Sequence, residues 1–369
     1  MKITAVEAIP IEVPLIHTLK MAVATVTKRE SIIVRIRTDE GLVGLGEAVI
    51  APYFTGETQR GAISAVETFL APILLGNGDV FNIHATMNQL NRVLYGNPSI
   101  KSAIDVALHD LLAQAMNVPL YRLLGGRVRE QVNSTWAISA SEPEKAAEEA
   151  LEGLEQGFQA VKIKVGTGSL QTDIECVRSV RKVTGESVLL RADANQAWST
   201  EKAIKFLKAI EDCQLQFIEQ PVGRSDLYGM AKIAHTVDTP VAPDEGLFGA
   251  EDALHYIRLD AADGIVMKIM KAGGIAGCQE LAAVTHAANL SLHLGGMPGE
   301  TSISAAAEVH LAVSLPDLSW DTGIYPHTSQ YDVVTERMQV TKGSYLPPEK
   351  PGLGVELDEA ALARCRLDC

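Results

Sequence analysis

Five short apolar runs, at 160–164, 188–193, 216–219, 240–244 and 264–268, each end in a charge: Lys164, Asp193, Glu219, Asp244 and Lys268. The charged ends stand 29, 26, 25 and 24 residues apart, which is the room needed for one strand, one helix and two loops. A parallel strand is buried on both faces, so a charge at its carboxyl end costs free energy unless it is paired or put to use. The recurrence predicts a (β/α) barrel whose catalytic end carries three carboxylates flanked by lysines.

At 369 residues the chain has room for one barrel of about 200–250 residues and a second domain. Residues 1–13 read as a strand. Residues 16–28 have no clean period and are expected as a functional loop. Residues 31–38 and 42–48 form a hairpin around Asp39-Glu40-Gly41. Helical spacing follows over 57–75, 81–94 and 99–117. This gives an α+β capping domain over 1–128, a barrel over 129–328, and a segment over 329–369 that returns to the cap. The first barrel strand is expected at 132–139, the seventh at 290–296 and the eighth at 317–323. Lys162 and Lys164 share one strand face, as do Arg191, Asp193 and Asn195, and both sets are expected to point into the barrel mouth.

The net charge of −14 disfavours nucleic acid and anionic membrane as partners. An anionic small molecule stays compatible with it, because a bound cation inverts the local sign. The five cysteines, Cys176, Cys213, Cys278, Cys365 and Cys369, are odd in number and form no CxxC. Reduced thiols in a cytoplasmic protein are the expectation. No signal peptide and no 18-residue apolar run appears.

Asp193, Glu219 and Asp244 would end neighbouring strands about 5 Å apart. Three carboxylates so close repel unless a divalent cation sits among them, and an all-oxygen set favours Mg²⁺, with Mn²⁺ as the alternative. Lys162 and Lys164 end strand two and Lys268 ends strand six, on opposite sides of the mouth. A buried lysine whose pKa falls toward neutrality can move a proton at a carbon beside a carboxylate, while the metal stabilises the enolate. Lys162 has a plainer reading as a partner for a neighbouring acid. A lone strand-end acid is ordinarily a cap or an ion-pair partner; five charges at regular spacing point to a site. His293 is expected in the core.

Lys162-Ile-Lys164, Asp193-Ala-Asn195, Glu219-Gln220-Pro221, Asp244-Glu245 and Lys268 together resemble the enolase superfamily, in its muconate lactonizing subgroup. Gly44-Leu-Gly46-Glu47-Ala48, Leu123-Leu-Gly-Gly-Arg127 and Pro351-Gly-Leu-Gly354 extend the resemblance over essentially the whole chain. It implies a modified (β/α)7β barrel of the TIM type under an α+β cap, and Mg²⁺ on Asp193, Glu219 and Asp244. It implies Lys164 as acid/base with Lys268 opposite, and Asn195 and Glu245 behind the ligands. Residues 16–28 would close over the substrate, Tyr53 and Phe54 would form a second specificity loop, and the protein would be a homo-oligomer. The 295–303 stretch, with Glu300, looks most like that of cycloisomerases. Strand eight departs from the pattern: it reads Trp320-Asp-Thr-Gly-Ile324, where cycloisomerases usually carry a Glu and dipeptide epimerases an Asp-x-Asp. Either Asp321 substitutes or the position is Gly323. The expectation is a Mg²⁺-dependent cycloisomerase acting on a muconate-like carboxylate. The alternatives are a dipeptide epimerase or N-acyl amino acid racemase working by 1,1-proton transfer, a non-catalytic binding protein, and a Schiff-base aldolase.

Overall fold

The computed structural model describes residues 1–77 and 79–367; Cys369 lies outside them, and Cys176, Cys213, Cys278 and Cys365 are buried free thiols. The chain opens with an antiparallel sheet of β1 (Ile3–Lys20), β2 (Thr25–Thr38) and β3 (Val43–Ile50), in that order. The expected loop at 16–28 is instead the far end of the β1–β2 ribbon, and only residues 21–24 turn. Its alternation is hidden because the register slips between Pro14 and Leu19, and the ribbon tip buries only Leu15, Leu19 and Val26, with Met21, Ala24 and Tyr53 packed beside them.

Helix Pro98–Ala115 lies on this sheet so closely that β3 must be glycine there: a Cβ on Gly46 would stand 1.9 Å from the Ala103 carbonyl oxygen, and one on Gly44 2.2 Å from that of Ala107. Helices Gln59–Ala65 and Ile83–Val93 complete the cap core around Ile32, Val34, Leu70 and Leu90.

The barrel strands are β4 (Trp136–Ile138), β5 (Ala160–Lys164), β6 (Leu189–Asp193), β7 (Phe217–Glu219), β8 (Val241–Ala242), β9 (Gly264–Met267), β10 (Ser291–Gly295) and β11 (Thr322–Gly323). β4 to β8 form one parallel sheet and β9 to β11 another. Backbone bonds from Asp263 N to Val241 O (2.9 Å) and from Val266 N to Pro243 O (3.1 Å) join the two. Strand one is shorter than expected because Val132–Asn133 leaves the barrel to pair antiparallel with Ser344–Tyr345. Strand eight is likewise reduced to two residues. Between β11 and β4 no strand ladder forms among the described residues. Hydroxyls close that seam: Ser134 Oγ donates to Ile324 O (2.9 Å), Thr135 Oγ1 to Thr322 O (2.6 Å) and Thr322 Oγ1 to Asn133 O (2.7 Å). Arg191 fills the barrel floor, fully buried, with Nε on Gln216 Oε1 (2.7 Å) and NH2 on the Trp320 carbonyl (2.7 Å). No helix among the described residues is long and apolar enough to cross a membrane.

The tail returns to the first strand. Helix Glu359–Cys365 sets Glu359 against Arg35 (2.5 Å), and Leu367 N donates to Pro10 O (3.0 Å). At the junction of cap and barrel, His310 accepts from Tyr121 N at Nδ1 (3.2 Å), donates from Nε2 to Leu353 O (3.1 Å) and stacks on the Tyr121 ring. Burial pushes its pKa down to about 4. An unfolded histidine titrates near 6.5, so between about 6.5 and 4 the unfolded chain binds a proton that the fold refuses. The stabilisation is therefore complete above about pH 6.5 and is lost as the pH falls through 4, a swing of roughly 3 kcal/mol. His310→Gln should lose less stability than the wild type between pH 7.5 and 4.5 in urea titrations; equal losses would refute this assignment.

Candidate active site

The carboxyl ends of β5 to β9 bring the charged residues together. Lys162 Nζ lies 2.8 Å from Glu219 Oε2, and Lys164 Nζ 2.5 Å from Asp193 Oδ2 and 3.1 Å from Asn195 Oδ1. Lys268 Nζ lies 2.8 Å from Asp244 Oδ2. Asn195 continues outward through Nδ2 to Glu245 Oε1 (3.0 Å), and its own N–H donates to Asp193 Oδ1 (2.9 Å). The backbone takes left-handed conformations just past two of the acids, at Asn195 (φ 42°) and Gln220 (φ 35°), a strain that tends to collect at functional sites.

The electrostatics follow from burial and crowding. Burial and the charges of Asp193 and Asp244 push Glu219 up to about 8, against the pull of Lys162. Glu245 rises to about 7 through burial and the same two aspartates. Burial would raise Asp244 too, but Lys268 and Lys271 outweigh it and hold this carboxyl well below the usual range. The lysines do not behave as the sequence leads one to expect. Burial favours neutral Lys162 and Lys268, yet Glu219 beside the first and Asp244 beside the second keep both above the ordinary lysine value. A lysine matched to a carboxylate stays charged; only loss of that partner to another cation would free it.

Among the described residues no three His, Cys, Asp or Glu side chains stand in ligand positions, because each of the three acids is turned onto a lysine. The donor set still fits a hard divalent cation. It is all oxygen, Glu219 Oε1 and Glu245 Oε2 are buried without a partner, and the clustered carboxylates repel one another as a metal site's ligands do.

Cap and barrel line a shared cavity, in which Leu19, Met21, Arg29, Tyr53 and Phe54 face Lys162, Lys164, Asp193, Asn195 and Lys268. Lys268 Nζ sits 4.4 Å from the centre of the Phe54 ring. Arg224 ties this cap turn to the barrel by donating to Phe54 O (3.0 Å) and Tyr53 O (2.7 Å). Tyr53 and Phe54 thus reach the cavity.

Two expected site residues do not. Glu300 lies behind Gly296, where its carboxylate accepts from Met297 N (2.9 Å) and Tyr325 N (2.8 Å), and so it shapes the β10 turn. Asp321 takes φ 52°, which turns its side chain away from the mouth toward Asn133 Nδ2 (3.5 Å) and the Arg191 and Arg129 charges. It does not supply the acid missing from strand eight. His293 is buried in the barrel, bonded through Nδ1 to Trp320 O (2.9 Å).

Two residues at the site escape sequence reasoning. Lys271 places Nζ 2.6 Å from both Asp244 Oδ1 and Asp244 O, and its signal is the i,i+3 spacing from Lys268. Arg29 enters from β2, inside a stretch with no readable period.

Residues 145–361 match the family described as enolase C-terminal domain-like, and residues 4–125 the mandelate racemase / muconate lactonizing enzyme N-terminal domain. The chain is 37% identical to the L-Ala-D/L-Glu epimerase of Bacillus subtilis (strain 168), covering 96% of this chain and 97% of that one. It is 34% identical to the N-succinyl-L-Arg/Lys racemase of Bacillus cereus (98% and 97% covered) and 32% identical to muconate cycloisomerase 1 of Rhodococcus opacus (98% of each). Among solved structures, 2-chloromuconate cycloisomerase from Rhodococcus opacus 1CP superposes with TM-score 0.96 at 29% identity over all of both chains. A dipeptide epimerase from Enterococcus faecalis V583, complexed with Mg and the dipeptide L-Leu-L-Tyr, does so with TM-score 0.92 at 34% identity, covering 96% of this chain and 100% of that one.

Proposed function

The chain belongs to the enolase superfamily, in the family of mandelate racemase and muconate lactonizing enzyme, and from that premise we propose that it inverts the carbon next to a carboxylate in an N-acylated amino acid or dipeptide by 1,1-proton transfer. It is an enzyme of the isomerase kind. One observation carries the proposal: Lys164 and Lys268 line the same cavity from the second and sixth of eight strands, half a barrel apart, and each is held by a different carboxylate. A carbon between them has one lysine on each face.

Lys164 is aimed by Asp193 and Asn195, and Lys268 by Asp244 and the Phe54 ring. One amine takes the proton from the substrate carbon while the other, an ammonium, returns a proton to the opposite face. Asp193, Glu219 and Asp244 would hold Mg²⁺, or Mn²⁺, whose charge stabilises the negative charge that builds on the substrate carboxylate. Leu19, Met21, Tyr53 and Phe54 keep water from the reacting carbon.

Cycloisomerisation of a muconate-like dicarboxylate is the second reading. The likeness to muconate cycloisomerases supports it, while Asp321, whose side chain faces away, leaves strand eight without a carboxylate for a dipeptide's ammonium. The test is a panel in D₂O: N-acyl amino acids and dipeptides followed by NMR at Cα, and muconates followed by their ultraviolet band. Solvent deuterium at Cα of an amino acid is the expected result. Loss of muconate absorbance, with no exchange in any amino acid, would put the second reading in place of the first.

A further inference from the structure

Arg29 is 2% exposed and lines the cavity between cap and barrel. Its Nε donates to Pro298 O (2.9 Å) and its NH1 to Tyr53 Oη (3.2 Å), while NH2 is buried and has no hydrogen-bond partner. No carboxylate within ion-pair distance of Arg29 exists among the described residues, whereas Lys162, Lys164 and Lys268 in the same cavity each have one. A guanidinium is charged at every working pH, and burying it without an anion is unfavourable. It is anchored on two neutral oxygens, one on the cap turn and one on the β10 turn, so its plane is fixed before any ligand arrives.

We propose that Arg29 receives a second anionic group of the substrate, remote from the carbon at which the proton moves, and that this enzyme therefore selects substrates carrying two carboxylates. This rests on the reading of the cavity as the active site. The two charges have separate destinations: one carboxylate goes to the acid cluster and its lysines, the other to the cap. Among the described residues Asp193 is the only acid lining the cavity, and it is matched to Lys164, so none of them neutralises Arg29. A planar fork with a free N–H is suited to a carboxylate. A substrate ammonium in that position would instead face an unshielded like charge.

A purely structural role is the competing account, in which Arg29 only clasps Pro298 and Tyr53 together. The experiment separating the two uses unreactive probes. Calorimetry with the Mg²⁺-loaded wild type would compare succinate, glutarate, adipate and pimelate with butyrate, valerate, hexanoate and heptanoate, each pair matched in length. At least one dicarboxylate is expected to bind about tenfold or more tighter than its partner. In Arg29→Gln that preference should shrink to within about twofold with the monocarboxylates unchanged, and Arg29→Lys should keep part of it. If the wild type prefers no dicarboxylate, or if Arg29→Gln retains the preference, the proposal is overturned. If Arg29→Gln does not fold, the wild-type comparison still decides. Deuterium exchange tells the two ideas apart: exchange without a dicarboxylate preference removes the role of Arg29, and preference without exchange removes the 1,1-proton transfer.

Discussion

Lys164→Ala should lower turnover by about 10³-fold or more, and Lys268→Ala by a similar factor, yet the two variants should fail differently. Each lysine serves one face of the reacting carbon. Lys164→Ala keeps Lys268 and should still wash solvent deuterium into one enantiomer of a substrate, while Lys268→Ala should exchange only the other. The split follows from position, because the two amines reach the cavity from strands half a barrel apart and hang on separate carboxylates. Neither substitution should unfold the protein, since the cap and barrel cores do not depend on these side chains. Chiral chromatography combined with NMR in D₂O reads both outcomes. Racemisation persisting in Lys164→Ala would remove the lysine from the chemistry, and a loss of exchange into both enantiomers in each variant would remove the two-face arrangement.

Glu219→Gln should abolish the response to Mg²⁺ as well as activity. In the wild type, a millimolar divalent ion is expected to raise the melting temperature, because ligands that bind only the fold stabilise it by mass action. The gain arises where three carboxylates are buried together; burial first, and then the charges of Asp193 and Asp244, raise the pKa of Glu219. Substituting Gln removes one charge while leaving an oxygen to accept from Lys162, so the metal-free variant should melt no lower than the wild type by more than a few degrees. Turnover should fall by about 10³-fold or more. Melting curves with and without Mg²⁺ check the binding half independently of any substrate. A variant that Mg²⁺ stabilises as strongly as it does the wild type would exclude Glu219 as a ligand.

Much of this site is legible from the linear chain because its spacing is imposed by geometry. A strand, a helix and two loops take a fixed number of residues, so Lys164, Asp193, Glu219, Asp244 and Lys268 announce their common end of the barrel. What hides is whatever depends on local twist or on distant contacts. The direction of Asp321 is lost because strand alternation no longer applies once φ becomes positive. The extent of β1 and β2 is lost because a register slip breaks the period of two at the ribbon tip. Arg29 carries no signal at all, since its partners, Tyr53 and Pro298, are 24 and 269 residues away in sequence. The charge state of the lysines was equally out of reach, because it depends on which acid each one meets.

The pairing of Leu367 with Pro10, and of Glu359 with Arg35, bears on how the chain is made. Synthesis proceeds at about 5–20 residues per second, so the cap sheet emerges tens of seconds before the segment that completes its edge. During that interval β1 presents unpaired backbone groups where the tail will later lie, and such an edge invites other strands. The edge of β1 is finished by a segment far later in the sequence, and until that segment emerges the edge stays open to wrong partners.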